Sequence, residues 1–68
     1  MDASNLLEVR HQRNQLLLQS DWTQIADSPL SAESKAAWAA YRQELRDLPH
    51  NIPANVEHWF DVVFPANP

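Results

Sequence analysis

The stretch SDWTQIADSPLS, Ser20 to Ser31, decides how the rest of the chain is read. It separates two runs of helical periodicity and belongs to neither, because Pro29 stops a helix from continuing through it. Asp21 ahead of Trp22-Thr23-Gln24 reads as a capped single turn, the carboxylate accepting from the amides of Thr23 or Gln24. Asp27-Ser28-Pro29 reads as a turn into the next element. A connector of about a dozen residues is long for a helix–helix loop, so it is predicted to carry structure of its own. Trp22 is the odd residue, since an indole in a polar loop is unfavourable unless something covers it. The predicted cover is Leu17 and the Trp38 end of the following run, with Ala36, Ala37, Ala39 and Ala40 allowing close approach.

Downstream, Ser31 is a good N-cap, and AESKAAWAAYRQELRDL from Ala32 is rich in strong helix formers. Trp38, Tyr41, Leu45 and Leu48 recur on one face. Glu33 in the first turn and Arg46 in the last match the helix dipole. Pro49 ends the run, because the residue before a proline avoids the α region. Upstream, Asp2 or Ser4 caps a helix that runs to about Gln19, with Leu6, Val9, Leu16 and Leu17 near one face. Arg13 interrupts that face, and its stem is expected to lie along the stripe. Of Leu16, Leu17 and Leu18, one is surplus to a single stripe and is expected to face a partner or the connector. The predicted fold class is therefore mainly α, a two-helix antiparallel hairpin over residues 1–49, with helices near 3–19 and 32–48.

Beyond Pro49 the pattern changes. Residues 50–55, with Pro53 and two asparagines, read as a linker. Residues 56–68 form an apolar C-terminal tail that packs Val56, Trp59, Phe60, Val62, Val63 and Phe64 into nine positions. As a helix, Asn55 would cap it and Val56, Trp59, Phe60 and Val63 would share a face. As a strand, it has suitable β-branched and aromatic content with imperfect alternation. The reading leans to a helical turn or two followed by an extended end.

Composition bounds the function. A chain of 68 residues is one small domain at most. Without cysteine it has neither disulfides nor thiolate metal sites. Without glycine it has no phosphate-cradling loop of the usual kind. A net charge of −4 argues against a nucleic-acid partner. No apolar run is long enough for a membrane span or a signal-peptide core. His11, His50 and His58 are too widely separated for a local metal motif. Asp21 and Asp27 read as caps, since nothing places them beside a nucleophile. No catalytic residue, cofactor or metal is expected.

The string RNQLLLQSDWTQIADSPLSAESKAAWAAYRQELRDLP, Arg13 to Pro49, resembles the tail assembly chaperone domain of tailed bacteriophages. The resemblance rests on Arg13-Asn14, Leu16-Leu17, Ser20 to Thr23, Asp27 to Leu30, Trp38, Tyr41 to Gln43 and Leu45 to Pro49. Asp21, Trp22, Asp27, Pro29, Trp38, Tyr41 and Leu45 are its structural motif. Members of that family often end in a short tail containing Trp and Pro; here Trp59-Phe60 is followed by Pro65 and Pro68. Larger members carry an additional N-terminal domain, so the resemblance implies a minimal form. It also implies a non-enzymatic assembly factor in the cytoplasm of the bacterial host, acting on a trimeric tail-fibre protein through its C-terminal region. The alternative is a small structural subunit retained in the tail, at the fibre or baseplate.

The expected partner-binding residues are Trp59, Phe60, Val63 and Phe64, because two short helices cannot readily bury this apolar run beside their own stripes. Leu18, Arg42 and Arg46 are expected at the rim. The two arginines, one helical turn apart, read either as a solvated face or as a grip on partner carboxylates and carbonyls. Removing residues 56–68 is expected to leave the hairpin helical.

Overall fold

The computed structural model describes all residues from Met1 to Pro68. Helix α1 (Ala3–Ser20) and helix α2 (Ala32–Asp47) form an antiparallel hairpin, and the molecule has no strand. Helix α1 begins at Asp2, whose extended backbone lets the carboxylate accept from the Asn5 amide at 2.8 Å. Helix α2 begins in the same way at Ser31, whose hydroxyl accepts from the Ser34 amide at 3.1 Å. Both caps satisfy amides that no preceding turn can reach. Helix α2 passes into a 3₁₀ turn at Leu48–His50; contrary to expectation Leu48 keeps α-region angles, φ −52° and ψ −46°, and the α ladder stops because Pro49 has no amide to continue it.

The connector opens with a 3₁₀ turn, Asp21–Gln24. The expected Asp21 cap is not made: no side chain caps this turn, and the Asp21 carboxylate reaches α2 instead. The Thr23 hydroxyl donates to the Ser20 carbonyl at 2.6 Å and closes the turn. A second bend follows, with the Ser28 amide donating to the Ile25 carbonyl at 3.2 Å. Exposed Asp27 lies within that bend, and exposed Pro29 lies between it and α2.

The core is thin. Its buried apolar residues are Val9 from α1, Tyr41 and Leu45 from α2, and Val62 from the tail. Trp38 and Leu48, predicted on the same face as Tyr41 and Leu45, are partly covered. The alanines do not seat a close helix contact: Ala36, Ala37 and Ala40 face solvent. The tail returns along the hairpin. Trp59–Asp61 forms a 3₁₀ turn against α1, and the Trp59 amide donates to the Asn5 side-chain oxygen at 2.9 Å. Its N-cap position is His58, so Asn55 caps nothing there; the chain bends before it, with the Val56 amide donating to the Pro53 carbonyl. Val62 is extended, at φ −74° and ψ 129°, and residues 63–68 carry no regular secondary structure. The result is a rod of 40 × 17 × 15 Å with a radius of gyration of 13.5 Å. A compact globule of this length would have about 11 Å.

Candidate functional site

Two features of the rod stand apart from ordinary surface. The first is the tail, where the extended backbone at Val62 turns that side chain and the next to opposite sides. Val62 is buried while Val63 is 87% exposed. Phe60 is 66% exposed, whereas Trp59 and Phe64 are half-buried against the hairpin. Phe60 is held between two rings, stacked on His58 at 5.1 Å and edge-on to Trp59 at 6.0 Å. Between the tail and α1 runs an open groove of about 370 Å³. Trp59, Phe60, Val62 and Phe64 form one wall, and Leu16 with Gln12, Gln15 and Gln19 forms the other. From Val63 to Pro68 the main chain makes no backbone hydrogen bond within the molecule. Its amides and carbonyls therefore remain open to other partners.

The second feature is a clasp toward the connector end of the hairpin. Arg42 Nη1 donates to the Leu17 carbonyl at 2.7 Å and to the Ser20 hydroxyl oxygen at 2.8 Å. Arg42 Nη2 meets the Asp21 carboxylate at 2.8 Å, the one salt bridge in the molecule. The Ser20 hydroxyl in turn donates to the Leu16 carbonyl at 2.9 Å. Gln24 extends the set by donating to the Lys35 carbonyl at 3.1 Å. The Leu17 carbonyl is among the last four of α1, which have no intrahelical amide partner, and the guanidinium supplies a donor there.

The other predicted residues separate clearly. Leu18 is exposed at 66% on α1 and is the surplus leucine of its run. Arg46 is exposed and donates to the Gln43 side chain at 2.8 Å, while its carbonyl accepts from Arg13 at 3.4 Å. Arg42, expected at the rim, spends its donors inside the hairpin. Trp22 is not buried as expected. It lies over Trp38 with ring centroids 6.2 Å apart, and Trp38 meets Tyr41 edge-on at 5.6 Å, but 47% of Trp22 remains exposed. The single turn aims the indole at one ring, and no second element closes over its outer face. Sequence reasoning missed Ser20 and Thr23, the two buried polar residues. Their signal was available in the Ser-Asp-Trp-Thr string, where small hydroxyl side chains sit at the end of a helix, a place where they bond the preceding turn. Val62 was also missed as core, although the Val62-Val63 pair carries the alternation of an extended chain.

The family described as phage tail assembly chaperone protein matches residues 6–68. This chain belongs to that family. The match takes in the hairpin, the clasp and the apolar tail together, so the tail is part of the family's pattern. No curated protein and no solved structure matches the chain. Membership implies a phage tail protein as the chaperone's client. No helix of this chaperone is long and apolar enough to cross a membrane. No three His, Asp or Glu side chains converge to hold a metal ion.

Proposed function

We propose that this chaperone binds the C-terminal region of a tail-fibre protein in the host cytoplasm and keeps it soluble until three chains assemble. The observation that carries this reading is the apolar tail. A molecule with so few buried residues leaves Phe60 and Val63 in solvent beside an open apolar groove. A surface of this kind on a small soluble protein marks an interaction site. Trp59, Phe60, Val63 and Phe64 supply the anchors, whereas exposed Leu18 and Arg46 do not line the groove beside the tail and are left out of the surface. Arg42 contributes by building the hairpin that presents the anchors.

The physical logic needs no reaction. Fibre chains are rich in strands, and their unpaired edges aggregate before trimerisation buries them. The open main chain of Val63–Asn67 can pair with such an edge, while Phe60 and the groove take up alternate side chains. Trimerisation then displaces the chaperone, because the pairing it offers is short and interrupted by Pro65.

The test is co-expression with the phage's own fibre gene, followed by pull-down and fractionation. The wild-type chain should copurify with fibre and raise the soluble trimer. The double variant Phe60→Ser/Val63→Ser should keep its helical spectrum and lose that gain. Full yield of soluble trimer with this folded variant would sink the proposal. Recovery of the chain in purified phage particles would favour the retained tail subunit instead.

A further inference from the structure

The side of Val63 and Phe64 that faces away from the glutamines differs in charge from the first groove. A second open groove of about 280 Å³ lies there, between the tail and the end of α2. Val63, Phe64, Pro65 and Leu48 form its apolar part, and Glu44 and Asp47 stand at its edge. Neither carboxylate has a cationic partner, since the only salt bridge joins Arg42 to Asp21. Asp47 accepts from the Gln43 side-chain amide at 3.0 Å, and nearby Arg46 donates to Gln43 instead. Phe64 lines both grooves, so a chain crossing the tail passes from a neutral, glutamine-lined trough to an acidic one.

We infer that the segment seated on this chaperone is an extended stretch of the client carrying a lysine or arginine beside apolar side chains, its cation placed between Glu44 and Asp47. This rests on the tail being the client-binding surface and adds the chemistry of what it selects. The argument is charge complementarity. An apolar groove alone accepts any apolar chain, whereas two uncompensated carboxylates at its edge penalise an acidic one and favour a basic one. The same carboxylates repel the acidic surface of a second copy of this chain, which has a net charge of −4. Occupation by a client segment is thereby favoured over self-association.

The experiment uses overlapping fifteen-residue peptides spanning the phage's own fibre protein, with binding to the full-length chaperone read by fluorescence anisotropy at low and high salt. Bound peptides should carry Lys or Arg next to apolar residues. Replacing that cation by Gln should weaken binding by up to about fivefold per lost contact. The loss should shrink in high salt, where exposed charges are screened. The charge-reversed variant Glu44→Lys/Asp47→Lys should prefer peptides in which the cation has been changed to Glu. Its thermal melt should match the wild type, because both positions are exposed. If bound peptides show no basic preference and the reversed variant selects the same set, the inference is overturned. Loss of binding in Val63→Ser would then still uphold the tail as the client surface. If Val63→Ser also binds every peptide as before, both readings fall. A complete absence of bound peptides overturns the inference too, because the groove admits a linear segment.

Discussion

Arg42 does the most structural work of any single residue. One guanidinium serves a backbone carbonyl, a buried hydroxyl and a carboxylate, all contributed by the end of α1 and the turn that follows. The neutral acceptors should matter more than the ion pair, because the Arg42 side chain is only 15% exposed whereas that of Asp21 is 57% exposed. Arg42→Ala is therefore expected to cost about 2–4 kcal/mol in urea unfolding. Asp21→Asn should cost under about 1 kcal/mol. Arg42→Lys should not rescue, since a single ammonium cannot span the fork of three acceptors. At the other end of α1, the Asn5 amide beside Asp2 holds that carboxyl below its ordinary value. A depressed folded-state pKa stabilises the folded form above the unfolded value, and the contribution is lost as pH falls through the lower one. The Asn5 amide resonance should accordingly titrate with a midpoint below that of a free aspartate, and the first turn should fray beneath it. A midpoint at or above the free value would show that the cap is not formed in solution.

At the scale of the elements, the two helices and the connector are held by unequal means. Helix α2 buries Tyr41 and Leu45, while α1 buries only Val9 and Ser20. The connector is joined to α2 by rings and hydrogen bonds rather than by a sealed apolar plug. Trp22 rests on Trp38, and the Gln24 amide and the Lys35 ammonium cross between the two segments. A half-exposed indole contributes less than a buried one. Trp22→Ala should thus lower stability by about 1–3 kcal/mol and leave a cooperative thermal transition. Leu45→Ala, at a fully buried position, should cost about 2–5 kcal/mol and consume most of the stability of so small a domain. A Trp22→Ala chain that is molten by near-ultraviolet circular dichroism would mean that the ring seals more than its exposure indicates.

For the whole molecule, the tail changes meaning. Read as sequence, residues 56–68 are an appendage that could be removed. In the folded chain they supply Val62, one of four buried apolar residues, and they pin Trp59 to Asn5 near the start of α1. Truncation after Asn55 is expected to reduce helicity at 222 nm and to broaden or abolish the melt. Phe60→Ser/Val63→Ser, which touches only exposed side chains, should leave both unchanged. Equal stability of the truncated and full chains would show that the tail docks too weakly to belong to the core. The same segment thus has two faces. Its inner side contributes to a thin core, and its outer side is the surface proposed for the client.

What the sequence by itself determined is local. Asp2 and Ser31 begin helices because each side chain reaches an amide three residues ahead, and Pro49 ends one because of its own ring. The face formed by Trp38, Tyr41, Leu45 and Leu48 follows from spacing alone. The apolar density of residues 56–64 was equally legible, as was the surplus leucine at position 18. What only the tertiary structure decided is every contact between residues far apart in the chain. Arg42 reaches back over twenty residues to Leu17, Ser20 and Asp21, and the Trp59 amide meets Asn5 across 54 positions. Periodicity states that a side chain prefers cover, but the crossing of the helices sets which side chains receive it. Trp22 therefore ended half in water while Ser20 and Thr23 were enclosed. Small hydroxyl groups can bond the turn that precedes them and fit beneath an arginine, and a large indole in the connector has only one ring to lie against.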